Sequence, residues 1–92
     1  MDFNQAAEYA TRLNKEKTLG HDDWRVPTKE ELNLLFNNRA AIGGFNLTES
    51  NPAGYYWSST PYTYLFAWVQ RFSDGAQYDL HRLLDSSVRC VR

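Results

Sequence analysis

Cysteine is almost missing from this sequence: Cys90 stands alone among 92 residues. One thiol excludes an internal disulfide and any zinc site built on cysteines, and it fits a reducing compartment. Long apolar runs are missing too. No stretch approaches the roughly 18 residues that cross a bilayer as a helix. The opening Asp2-Phe3-Asn4-Gln5 has neither the basic region nor the apolar region of a signal peptide. The expected location is therefore the cytoplasm, with an extracellular or virion-associated place as the alternative. An excess of one charge is also missing. Ten basic and eleven acidic residues leave a net charge of −1, with no basic stripe and no acidic tail. Neither nucleic acid nor membrane is an expected partner. There is no P-loop, no Gly-x-Gly-x-x-Gly and no Gly-x-Ser-x-Gly elbow. No repeat, low-complexity stretch or linker divides the chain, so residues 1–92 are expected to form one domain.

Aromatic residues are what the sequence has in excess: three Trp, six Tyr and five Phe. A chain this short buries only about 60–65% of the surface its unfolded form exposes. Fourteen large rings are more than such a core needs. Some are expected at the surface, and clustered surface aromatics mark a binding face.

The first half reads as helix and loop. Residues 1–17 form an amphipathic pattern, with Asp2 as N-cap, Gln5 as its reciprocal partner, and Phe3, Ala6, Ala7, Ala10 and Leu13 on one face. Leu19 to Asp23 is a turn. Trp24-Arg25-Val26 is a short extended piece held out of helix by Pro27. Thr28 and Glu31 make a second capping box, and Leu32, Leu35 and Phe36 line the buried face of a short helix ending near Asn37-Asn38. Ala40-Ala41-Ile42 adds one more turn. Phe45 and Leu47 are anchors for an irregular stretch, and Asn51-Pro52-Ala53-Gly54 is turn chemistry. The Asn46-Leu47-Thr48 sequon is read as chance.

The second half reads as sheet. Tyr55–Ser59 is a strand closed by Pro61. Phe66–Phe72 is the next, with Phe66, Trp68, Gln70 and Phe72 on one face. Ser73-Asp74-Gly75 is a hairpin turn, Ala76–Leu80 the return strand, and Ser87–Val91 a closing strand. The helices are expected to cover one face of this sheet. The fold class is α+β.

Four segments in this order carry a family resemblance. They are Trp24-Arg25-Val26-Pro27-Thr28 with Glu31-Leu32, then Tyr56-Trp57-Ser58-Ser59-Thr60, then Ala67-Trp68 with Phe72-Ser73-Asp74-Gly75, and finally Val88-Arg89-Cys90-Val91-Arg92. Together they resemble the bacterial and phage C-type-lectin-like domains related to the lectin domain of collagen-like adhesins and to the formylglycine-generating-enzyme-like fold. The resemblance spans nearly the whole chain. It implies two helices packed on a small, twisted, mostly antiparallel sheet, and it implies ligand binding: glycans in adhesins, proteins in phage-related members. The chain lacks the strand that such domains carry before the first helix. The closing strand Ser87–Val91 would then have an open edge, where a homodimer or a foreign strand could pair. The Glu-Pro-Asn and Trp-Asn-Asp tripeptides of calcium-dependent lectins are missing; Glu49-Ser50-Asn51-Pro52 has similar letters in another order. No metal and no cofactor are expected.

Chemistry points the same way. Cys90 between valines reads as a small buried hydrophobe, and His21-Asp22-Asp23 as a solvated turn. His81 near Asp79 and Asp85 has no nucleophile beside it. The protein is expected not to be an enzyme. Tyr62 and Tyr64 follow Pro61 in a loop-like run and are expected at the surface, as rigid contact area with polar tips. Gln77, Tyr78, His81 and Arg82 lie where the resemblance implies variable binding residues. Trp68 and Phe72 are expected in the core, and Arg25 and Arg89 are expected to be structural. The expected function is recognition of a protein partner, a host protein for a phage- or mobile-element-encoded chain, through Tyr62, Tyr64, Gln77, Tyr78, His81 and Arg82 or through the open edge. The alternative is calcium-independent carbohydrate binding.

Overall fold

The computed structural model describes residues 1–45 and 54–92. The sequon, Leu47 and Glu49–Pro52 lie outside the described residues. Helix α1 runs Phe3–Lys15. Its start follows the local chemistry: the Asp2 carboxylate accepts from the Gln5 amide and the Gln5 side chain accepts from the Asp2 amide, both at 2.8 Å. This satisfies two donors that a helix start leaves orphaned. Helix α2, Lys29–Asn37, opens on the Thr28–Glu31 box in the same way. A single turn, α3, spans Arg39–Ile42.

Strands β1 (Tyr55–Pro61), β2 (Phe66–Arg71) and β3 (Gln77–His81) form an antiparallel sheet in the order β1-β2-β3. The register sets Trp57 opposite Val69 and Tyr56 opposite Gln70, and slips between Trp57 and Pro61. Ser58 sits at the slip. Its buried hydroxyl donates to the Trp68 carbonyl at 2.7 Å, which the disturbed ladder would otherwise leave unpaired.

The helices do not share a face of the sheet, contrary to the sequence expectation. Ala6 of α1 packs with Trp57, Ala67 and Val69. Leu32 of α2 packs with Tyr56 and Phe72. Successive strand residues point to opposite sides, so these two clusters lie on opposite faces and the sheet is sandwiched. Small Ala6 and Ala10, both buried, let α1 lie close to one side. Three ring contacts close the other: Phe45 meets Tyr56 and Phe36 meets Phe72 edge-on, and Phe45 lies tilted against Phe72. Phe72 is buried as expected, whereas Trp68 is only half-buried.

The closing strand is also different. Residues 87–91 make two separate bridges and no regular strand. Ser87 donates to the Tyr55 carbonyl and accepts from the Trp57 amide, both at 2.9 Å, while Val91 and Arg25 exchange two bonds at 2.8 Å. Between them Arg89 turns away to donate to the Gly43 carbonyl at 3.2 Å. The Ser59 amide donates to the Pro27 carbonyl at 2.8 Å. Ser87 and Pro27 thus occupy the outer edge of β1. Residues 87–91 therefore do not form the continuous strand expected from the sequence.

Candidate binding surface

Two turns meet at one end of the sheet. One is the β1–β2 loop, residues 62–65; the other follows β3, residues 82–85. The Arg82 amide donates to the Leu65 carbonyl at 2.9 Å, and its guanidinium donates to the Thr63 carbonyl at 3.3 Å. The Arg82 carbonyl accepts from the Phe3 amide at 3.0 Å, which fixes α1 to both turns. The guanidinium also lies over the Phe3 ring, 4.5 Å from its centre, and that ring meets Trp57 edge-on at 5.6 Å.

From this strapped base five large side chains project into solvent. Tyr64 is 90% exposed and Leu83 73%; Tyr62, Leu84 and Leu65 are each about half exposed, at 53%, 52% and 49%. Apolar groups held out on short tied turns lose little conformational freedom when they are covered, which favours their use in recognition.

The six residues expected to bind do not form one patch. Tyr62 and Tyr64 are on the exposed loop. Tyr62 leans edge-on against Trp68, with ring centres 5.3 Å apart. Gln77 and His81 lie on the α2 side of β3. Gln77 donates to the Lys29 carbonyl at 3.2 Å. His81 meets Phe66 edge-on, and its Nδ1 accepts from the Leu83 amide at 3.2 Å. Tyr78 points to the opposite, α1 side, beside Tyr55 and Arg71. Arg82 is a strap between turns. Leu65, Leu83 and Leu84 were not singled out from the sequence, although two adjacent leucines in a polar turn were the available signal. Lys29 was missed as well; its ammonium sits 3.7 Å from the centre of the Trp68 ring.

The arginines expected to be structural are tied locally. Arg25 grips both carboxylate oxygens of Glu31 at 2.5 Å. Arg89 lies over Phe45. The Arg25 fork, helped by the Thr28 amide, holds the Glu31 carboxyl at about 2, and Arg71 with the Ala76 amide holds Asp74 at about 2. Arg92 lowers Asp23 in the same manner. Burial pushes the Cys90 thiol up, which lowers its thiolate fraction and its reactivity. Among the described residues, no three His, Cys, Asp or Glu side chains converge as a metal site would need, and no helix is long and apolar enough to cross a membrane.

The model of one protein family matches the chain: the Lcl C-terminal domain, over residues 1–92. A comparison with curated proteins found no match.

Proposed function

Because the chain belongs to the Lcl C-terminal domain family, whose membership suggests a binding or adhesin-like module, we propose that it is a non-catalytic module that recognises a protein partner. The contact surface is the pair of tied turns carrying Tyr62, Tyr64, Leu65, Leu83 and Leu84. One observation carries this reading: five large apolar side chains stand in solvent on backbone that Arg82 and Phe3 hold in place. Apolar side chains at the centre and a polar margin are the make-up of a protein interface. The C-type-lectin-like relation seen in the sequence motifs, and a phage or mobile-element origin with a host protein as target, belong to the same proposal.

A second reading, calcium-independent carbohydrate binding, is favoured by the exposed Tyr62 and Tyr64 rings, which can stack on sugar faces. It is weakened by the polar groups around them, since Gln77 and His81 already have partners within the chain.

Affinity capture with the wild-type chain and with a Tyr64→Ser/Leu83→Ser double variant separates the two. Recovery of one stoichiometric protein by the wild type and not by the variant supports the first reading. A glycan array that is positive without calcium, alongside no protein partner, overturns it in favour of the second.

A further inference from the structure

We propose that two copies of this chain pair through the outer edge of β3, antiparallel and two-fold, about Tyr78. The inference is independent of the loop surface above.

The phase of the β2–β3 ladder is fixed at both ends. Arg71 donates to the Ala76 carbonyl and Arg82 to the Leu65 carbonyl. Backbone groups alternate in direction along a strand, so residues 76, 78, 80 and 82 face β2, and Gln77, Asp79 and His81 face outward. The His81 carbonyl already accepts from Leu84 at 3.0 Å. The amides and carbonyls of Gln77 and Asp79 have no such backbone partner among the described residues. The outer edge of β1 is taken by Ser87 and Pro27. Among the described residues, the open edge of the three-stranded sheet therefore lies at β3. Such an alternating row of donors and acceptors is a template on which another extended backbone can pair in place of water.

The side chains select a second copy as that backbone. With Tyr78 opposite its own equivalent, Gln77 of each protomer pairs with Asp79 of the other, giving four backbone hydrogen bonds. Asp79 then faces a carboxamide and not another carboxylate, avoiding the like-charge cross-strand pair. The incoming Asp79 lies on the α2 side, beside the groove of about 420 Å³ lined by Lys29, Glu30, Asn33, Leu34 and Gln77. Lys29 has no ion-pair partner among the described residues, and it is the complementary charge. On the α1 side the half-exposed Tyr78 rings, 41% accessible in the isolated chain, meet as a close aromatic pair.

Concentration-dependent hydrogen exchange and sedimentation test the pairing. The amides of Gln77 and Asp79 are expected to slow as concentration rises, while those of Tyr78 and Leu80 are protected throughout. Asp79→Pro removes an N–H that the single chain does not use, and proline is tolerated on a strand edge at such a position. It is expected to weaken self-association by about tenfold or more. A chain that stays monomeric up to about 1 mM, the weak limit of ordinary association, overturns the proposal. So does a dimer that persists undiminished in the folded Asp79→Pro variant. If that variant fails to fold, the wild-type exchange pattern decides: unchanged Gln77 and Asp79 rates overturn the pairing.

Discussion

The guanidinium of Arg82 lies 4.5 Å from the centre of the Phe3 ring, while the Phe3 amide donates to the Arg82 carbonyl at 3.0 Å. One residue thus holds the first turn of α1 by its backbone and covers its ring by its side chain. The same side chain reaches the Thr63 carbonyl. Arg82, expected from the sequence to touch a ligand, also fastens α1 to the two exposed turns.

Replacing Arg82 by alanine is expected to cost about 1–2 kcal/mol, from the lost cation–π contact and the lost bond to Thr63. In a domain of this size that lowers the melting temperature by roughly 4–15 °C. Arg82→Lys keeps the charge and is expected to recover only part of the loss, because an ammonium lacks the planar fork. Calorimetry on the three chains checks this. An unchanged melting temperature in Arg82→Ala would mean that the side chain is free for a ligand after all.

What the sequence made legible was local. Asp2 with Gln5 and Thr28 with Glu31 set both helix starts within four residues, and capping of this kind needs no tertiary partner. The same is true of the turn at Gly75, whose φ is +83°. Less legible was which side of the sheet each helix takes. An amphipathic stripe says that a helix buries a face, not what it buries it against. The clue was in β2 and the residue after it: Ala67, Val69, Gln70 and then Phe72 are all buried, and a strand covered on both sides shows no clean alternation. The closing segment has a strand's composition at Val88-Arg89-Cys90-Val91, but β1 is bonded by Ser87 at Tyr55 and Trp57 and by Pro27 at Ser59, which leaves no continuous ladder for it. The surface leucines went unread because composition does not say which turns are tied together.

Ser58 is the plainest test of the irregular β1–β2 pairing. Its hydroxyl is fully buried and bonds the Trp68 carbonyl. Ser58→Ala removes the donor and leaves that carbonyl without it, at an expected cost of about 1–3 kcal/mol. Ser59→Ala, one residue on and exposed, loses only a 3.3 Å bond to the Pro27 carbonyl, which also accepts from the Ser59 amide, and is expected to cost about 1 kcal/mol or less. Urea unfolding of the two variants should separate them clearly, and equal midpoints would contradict the role given to Ser58.

Acid should expose the Arg25–Glu31 fork. The folded chain holds Glu31 at about 2, below its ordinary 4.5. A carboxyl depressed on folding contributes stability that is full above the unfolded value and is lost as pH falls through the folded one. The window is therefore about pH 4.5 down to about 2. Solvent reaches this pair, so its contribution is about 1 kcal/mol or less. Glu31→Gln is expected to be less stable at neutral pH and to lose less on acidification across that window. Parallel curves for the two chains would show that the fork does not couple to folding.

Tyr64 and Leu83 offer the converse case, where stability should not move but recognition should. Tyr64 is 90% exposed and Leu83 73%, each on a turn whose shape is held by Arg82 and not by their own side chains. Changing either to serine removes no buried contact, so unfolding free energy is expected to stay within about 0.5 kcal/mol of wild type. If the turns are the contact surface, the same changes remove apolar anchors from its centre. Losing one anchor of this kind costs about 2 kcal/mol of binding, close to a thirtyfold weaker complex. The pair of measurements matters more than either alone. Lost binding with lost stability would mean only a damaged fold. Lost binding at unchanged stability locates recognition on these two turns.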